Sequence, residues 1–576
     1  MAYMTPLRCV VIAALLCTGN AFARAKVTPS RTKTTHLTDT AYRQSLTYFF
    51  DRPARSMMEA LPLGNGRMGM LSDGGVQRQT ITLCESSMWS GSVDSTAWNA
   101  AAADQLPAIR QLLLSGRPKE AEELIYRTFV CGGVGSGRGQ GANTPYGSYQ
   151  VGGFLHLDWA KAPETSRYYR GLSLTEGCSQ ELLEVGGAAY RSKRLYSVFG
   201  DEVQVVHLTN HSTESRSDTL RLSLSRPENG RASSVSGFLT LSGALPDGKG
   251  GKGLGYAIVV RPSLPEGGEL ITQGDELLIV NAPSIDLYIA HNTNYYDKRT
   301  PLVGHGIEQT LQAQSIGEGR LFAEHVQRFS AQMNRVQAHL AGSEAARTLL
   351  PIDQRLRAYH EHPELDPALA TLYMQFGRYL LLSSTRPGAL PPNLQGLWTE
   401  TIQAPWNGDY HLNINLQMNY WPAEKGALPE TVSPLTDWVE SIVPSGERTA
   451  QTFYRAKGWV THVLGNVWQF TAPGEHPSWG ATNTSAAWLC EHLYNHYRYS
   501  QDRTYLQRIY PVMQGAARFF LTTLTEDPKT KYLVNVPTTS PENSYYTADG
   551  KEVAVAAGST MDNQILRELF STTREA

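Results

Sequence analysis

Four groups of residues stand out for the chemistry they could do. Glu542 lies in Ser540-Pro541-Glu542-Asn543, where Pro537 and Pro541 hold the backbone extended and present the carboxyl from a loop, the fixed presentation that a general acid needs. Thr539 and Glu542 also have the T-x-x-E spacing of a capping box, but no apolar periodic run follows them. In HLNINLQMNY, from His411 to Tyr420, polar and apolar residues alternate, so an extended chain would set His411, Asn413 and Asn415 on one face. The plain reading of that pattern is a half-buried strand with a solvated polar face. Asparagine is a poor strand former, however, and the neighbouring Trp398, Trp406, Tyr410, Tyr420 and Trp421 would suit a sugar, with rings against its apolar face and amides on its hydroxyls. His492 and His496 are spaced i, i+4, yet they lack the glutamate of H-E-x-x-H and a third ligand. They are expected to serve helix packing or sugar contacts, and neither a metal nor a cofactor is predicted. The stretch GGVGSGRGQG, residues 132–141, has neither phosphate-binding spacing and is expected to be a flexible surface loop.

The elements that must position these residues change character along the chain. From about Ser45 to Asn294 the runs VQVVHLTN, LRLSLS, GFLTLSG, GYAIVVRP, ELLIVN and IDLYIA, bounded by Gly, Pro and Asn, predict a large β-sandwich. One helical insert interrupts it from Asp104 to Val130, with apolar residues at Leu106, Ile109, Leu112, Leu113, Ala121 and Leu124. After Tyr296 the period lengthens to that of helices. Residues 305–340 read as a linker of one or two helices, followed by Pro367 to Ser384, Glu430 to Lys457, Thr484 to Ser500, Tyr505 to Leu524, and a last helix from near Thr560. The predicted class is therefore a multidomain β + α protein.

Composition narrows the partners. Lys plus Arg number 51 against 53 Asp plus Glu, a net charge of -2, so no basic stripe offers itself to nucleic acid. The first 23 residues read as a secretory signal: Arg8, an apolar run from Cys9 to Cys17, and a cleavage site at Ala21-Phe22-Ala23, implying a secreted or periplasmic product. No later segment has the ~20 apolar residues of a membrane span. Beyond the signal, Cys84, Cys131, Cys178 and Cys490 are widely separated, neither a disulfide scaffold nor a zinc ribbon.

Three stretches together resemble glycoside hydrolase family 95, the inverting α-L-fucosidases: EALPLGNGRMGMLSDGGVQRQTITLCESSMWSG at 59–91, NLQGLWTETIQAPWNGDYHLNINLQMNYWPAE at 393–424, and TTSPENSY at 538–545. After the signal peptide read over 1–23, the resemblance implies an N-terminal β-super-sandwich over 45–300, a helical linker over 301–345 and an incomplete (α/α)6 barrel over 346–576. It implies Glu542 as general acid and the pair Asn413 and Asn415 as the amides that orient the attacking water, Asn415 foremost. His411 falls where its bulk would favour the methyl of fucose over the hydroxymethyl of L-galactose. Trp398, Trp406, Tyr420 and Trp421 are the candidate aromatic contacts to a fucosylated oligosaccharide or polysaccharide.

A neutral amide is no base by itself, so an aspartate partner is chemically required. The family's aspartate lies in a motif downstream of SPEN, and nothing here matches it. Asp562, at the entrance of the last helix, reads as a helix-start carboxylate. The face formed by Ile565, Leu566, Leu569 and Phe570 is expected to lack a partner, as in an incomplete barrel of about half the twelve helices. The alternatives that follow are an α-L-galactosidase of the same family, a truncated glycan-binding remnant without turnover, and a helical-barrel phosphorylase. The last needs a cationic phosphate pocket, for which Arg138 in the glycine-rich loop is a poor candidate.

Overall fold

The computed structural model describes residues 46–296 and 301–576. The expected signal segment lies outside the described residues. The six quoted β-runs all form strands of two antiparallel sheets. The larger has nine strands. It includes the neighbouring strands Gln204–Asn210, Ser284–Thr293, Lys252–Ser263 and Phe238–Pro246, in that order from its middle strand outward. The smaller has seven, running from Glu269–Gln273 through Thr219–Ser225 and Gly153–Trp159 to Leu61–Gly64 at the far edge.

Some strands of the smaller sheet alternate, as in Gly153–Trp159, where Leu155 and Leu157 are buried and Phe154 and His156 are only half so. Ser284–Thr293 behaves differently, with all ten residues buried. The reason is a second cover: helices Leu302–Ile316 and Glu318–Met333 lie on the outer face of the nine-stranded sheet, where Ala313 and Leu321 pack with Cys178, Tyr196, Val205 and Tyr288. A strand sandwiched on both faces reads as an apolar run and loses its alternation. These two helices fall within residues 301–345, the stretch expected to be a helical linker. Arg194 anchors them through Glu318 at 2.6 Å.

The insert is two helices, Ala102–Leu114 and Pro118–Thr128. Beyond the linker come Ile352–Glu361, Ala368–Ser384, Asn415–Lys425, Val432–Tyr454, Ser485–Ser500, Arg503–Thr523 and Thr560–Glu575. Five of these seven were legible in the sequence, which passed over Ile352–Glu361. Asn415–Lys425 corrects the extended reading of 411–420. Only Tyr410–His411 is strand, paired with Leu464–Gly465, and the helix starts four residues later. Its buried residues Leu416, Gln417, Tyr420 and Ala423 follow helical spacing, so the alternation of polar and apolar residues straddles a strand end and a helix start.

Leu566 and Leu569 of the last helix are buried against helices Ser485–Ser500 and Arg503–Thr523, so that face has partners, contrary to expectation. Asp562 lies in the first turn of that helix, as expected of a helix-start carboxylate. Ser559 caps the helix, while the Asp562 carboxylate is fully buried and accepts from Asn535 at 3.2 Å and Thr484 at 3.3 Å.

The sandwich and the helical domain share a hydrogen-bonded seam. Gly66 N donates to Ser383 O at 2.8 Å, Tyr379 to Pro62 O at 2.6 Å, and Tyr149 to Leu397 O at 2.7 Å. A Cβ on Gly64 would stand 2.2 Å from Ser383 O, so this backbone approach requires glycine. The motif PLGNG is thus a docking turn between domains.

Candidate active site

A cleft of about 310 Å³ opens where the two domains meet. Its lining includes Asp409 and His411 from the strand around Tyr410, His476 and Trp479 from the 476–480 turn, Glu542 from SPEN, and Trp406. Ser136, Arg138 and Gly139 of the sandwich complete it. Of the predicted residues, Trp406, His411 and Glu542 meet here.

The deep end is built on Asp409. Its side chain is fully buried, one oxygen paired with Nδ1 of His411 and the other accepting from the Tyr146 hydroxyl at 2.7 Å. Both residues belong to one extended stretch, where positions two apart share a face. Burial opposes the charged imidazolium of His411, but the Asp409 carboxylate beside it, its hydrogen bond, and the charge of Glu542 outweigh that cost and hold the His411 pKa above its ordinary value. Burial also pushes the Asp409 pKa up, against the stabilising His411 and Tyr146 contacts.

Glu542 stands on an exposed turn closed by Asn543 N donating to Ser540 O at 2.7 Å. The preceding strand Thr538–Thr539 is buried and pairs with Val555–Ala556. Thr539 is no helix cap. Its hydroxyl donates to Pro477 O at 2.8 Å, and its carbonyl accepts from Thr482 at 3.0 Å, which ties the acid's strand to the turn carrying His476 and Trp479. The insert braces the other side. Arg110 donates to Val536 O at 3.1 Å and Thr523 O at 2.8 Å, and Glu122 accepts from Ala554 N at 2.7 Å.

The glycine-rich stretch is fastened to this site, which corrects its reading as a free surface loop. Ser136 donates to Glu475 at 2.6 Å, Asn407 donates to Ser136 O at 2.8 Å and accepts from Gly141 N at 2.6 Å, and Gln403 donates to Gly139 O at 3.0 Å.

The remaining predicted residues fall elsewhere. Asn415 is exposed at the start of its helix, beside His411 in a shallow depression that also includes Asn419. Asn413 is half-buried, and its Oδ1 accepts no hydrogen bond among the described residues. Trp398 is buried in the domain seam, donating to Leu63 O at 2.9 Å. Tyr420 and Trp421 line a separate cavity of about 520 Å³ with Glu424, His492 and Tyr499. His496 pairs with Glu424 at 2.6 Å, and His492 lies against the carbonyls of Trp488 and Gln417. Among the described residues, Cys84, Cys131, Cys178 and Cys490 are free and buried.

Asp409, Arg138, His476 and Trp479 were missed in the sequence. Asp409 alone had a local signal, because the alternation that joins His411 to Asn413 also extends back to it.

Comparison with known proteins agrees with this architecture. Residues 318–576 match the glycosyl hydrolase family 95 catalytic domain, and residues 48–298 match the glycosyl hydrolase family 65, N-terminal domain. "Alpha-L-fucosidase 2" of Arabidopsis thaliana is 28% identical over 91% of this chain and 64% of its own length. "Probable alpha-fucosidase A" of Aspergillus niger is 29% identical over 84% of this chain and 61% of its own. The chain thus spans less than two thirds of these curated relatives. Among solved structures, "Putative kojibiose phosphorylase from human microbiome" superposes with a TM-score of 0.53 at 9% identity, covering 89% of this chain and 61% of that one, a likeness of fold. The stretch that carries Asp409, His411 and Glu542 is thus similar to the glycosyl hydrolase family 95 catalytic domain, and the sandwich before it to the glycosyl hydrolase family 65, N-terminal domain.

Proposed function

We propose that this chain removes terminal α-L-fucosyl residues from glycans by a single displacement that inverts the anomeric carbon. The observation that carries the reading is the meeting of Glu542 and His411 in one cleft, supplied by segments far apart in sequence, in a chain whose relatives are named α-fucosidases. Glu542 protonates the departing glycosidic oxygen from the mouth. A water on the opposite face of the sugar is oriented by the Asn415 amide, with Asn413 beside it. Such a water needs a carboxylate to take its proton, with acid and base of order 6.5–9.5 Å apart. Asp409 is poorly suited to that duty, since both of its oxygens already serve His411 and Tyr146. His411, at the closed end, sets the preference for the methyl of fucose over the hydroxymethyl of L-galactose.

The test is fucose release from an α-L-fucosyl oligosaccharide, followed by NMR of the first-formed anomer. Appearance of β-L-fucose before mutarotation is expected. First formation of the α-anomer would exclude inversion, and release of L-galactose in preference to fucose would reassign the specificity.

A further inference from the structure

The cleft mouth is framed by two backbone segments of the same unusual kind, one from each domain. Gly137, Arg138 and Gly139 have φ of 65°, 54° and 79°, and Trp406, Asn407 and Gly408 have φ of 48°, 61° and 56°. Three successive left-handed residues are costly for any residue but glycine, and the non-glycines here include Arg138 and Trp406, whose side chains both line the cleft. The two turns abut. A Cβ on Gly139 would lie 3.3 Å from Trp406 Cα, and Asn407 binds the Arg138 turn through Ser136 O and Gly141 N. Strain retained by a surrounding network at a cleft mouth marks a place where the side chains are wanted.

Those side chains are a flat ring and a cation. Trp406 is 66% exposed although its backbone is held from both sides. Arg138 is exposed, and its guanidinium donates to the Tyr126 hydroxyl at 3.5 Å, while the Glu475 carboxylate accepts from its backbone N–H at 3.3 Å and forms no ion pair with the guanidinium among the described residues. The closed end, at Asp409 and His411, takes the terminal sugar, so the rest of the glycan must leave past this mouth.

Resting on the glycosidase reading above, we infer that the mouth is a leaving-group subsite for an acidic sugar, whose ring stacks on Trp406 and whose carboxylate pairs with Arg138. A guanidinium fork matches a carboxylate in two parallel hydrogen bonds, and an indole face suits the apolar face of a pyranose.

The test measures binding, so it does not depend on turnover. The full chain is titrated, at low salt, with glucuronosyl-galactose and with its neutral counterpart galactosyl-galactose. The acidic disaccharide is expected to bind about tenfold tighter, the scale of one added charge-assisted contact. Arg138→Gln abolishes that preference, Arg138→Lys keeps part of it, and Trp406→Ala weakens both ligands. Arg138→Gly also loses the preference while Tm stays level or rises, because glycine fits the left-handed site; a purely structural arginine would not separate the two readouts. Equal binding of the two disaccharides, binding of neither, or a preference that survives Arg138→Gln overturns the inference. Inorganic phosphate binding at Arg138 as tightly as the glucuronide would also overturn it, assigning the cation to phosphate. Hydrolysis of an aryl α-L-fucoside, which needs only the closed end, is measured alongside: its absence counts against the fucosidase reading and leaves the binding comparison intact.

Discussion

The two ends of the cleft are made in opposite ways. At the closed end both oxygens of the buried carboxylate are committed: Asp409 holds His411, Tyr146 holds Asp409, and the strand Tyr410–His411 is paired with Leu464–Gly465. At the mouth the backbone is fastened and the side chains are left free, as Glu542, Arg138 and Trp406 stand on turns whose main chains are bonded while their functional groups face solvent. On the function proposed above, a half-buried end with a committed carboxylate would reject a wrong terminal sugar by one misplaced group, and an exposed end on braced turns would act on whatever is attached to that sugar. The two ends of one cleft are built from different materials.

The largest effect that separates the two ends is expected at the acid. Glu542→Gln should lower turnover of natural fucosides by about 10²–10⁴-fold and that of aryl fucosides with good leaving groups much less. Steady-state kinetics on both substrates check this, and an equal loss on the two would remove Glu542 from proton donation.

Asp409→Asn attacks the closed end instead. Losing a charged hydrogen-bond partner there should cost about 1.5–3 kcal/mol of stability. Because the His411 pKa is raised in the folded state, the stabilisation it brings is complete below about 6.5 and is lost as pH rises through the folded value. The Tm difference between wild type and Asp409→Asn should therefore be wider at pH 5.5 than at pH 9, as thermal melts at the two pH values would reveal. A difference independent of pH would mean that His411 is not held protonated by Asp409.

His411→Thr should leave the mouth unchanged and shift the ratio of kcat/KM for L-galactosides over L-fucosides by about 1–3 kcal/mol, the usual value of one small group in a pocket. A ratio that stays put would place His411 away from C6. The smallest effect is expected from the brace. Arg110→Ala removes two bonds to carbonyls at a cost of about 1 kcal/mol, and hydrogen exchange over residues 536–546 should quicken while that around His411 does not. Equal quickening in both regions would show the ends to be one cooperative unit.

These ends also differ in how far they could be read in advance. Glu542 was legible because two nearby prolines and the lack of periodicity mark a presented loop within a few residues. His411 was legible as part of an alternating run, although the run breaks into a two-residue strand and a helix. Arg138, His476 and Trp479 carry no local signal, since what makes them neighbours is a seam between segments hundreds of residues apart, and a single chain shows no such pairing. Trp398 and Tyr420 drew attention as aromatics and proved to be buried, because ring-rich segments serve packing as readily as sugars. The sheets were read well wherever one face meets solvent. The apolar run IDLYIA marked a strand too, but its cover by two helices could not be seen in it.

The seam has a consequence for anyone recombining such proteins. Tyr146 and Arg138 come from the sandwich, while Asp409, Trp406 and Glu542 come from the helical part, so the cleft is inherited by neither alone. A chimera that exchanges the helical part at the 301–345 linker would separate Tyr146 from the aspartate it fits and Asn407 from the turn it clasps. Crossovers that also carry residues 132–151 with the helical part keep those couples together, which makes that stretch, and not the linker, the natural boundary for exchange.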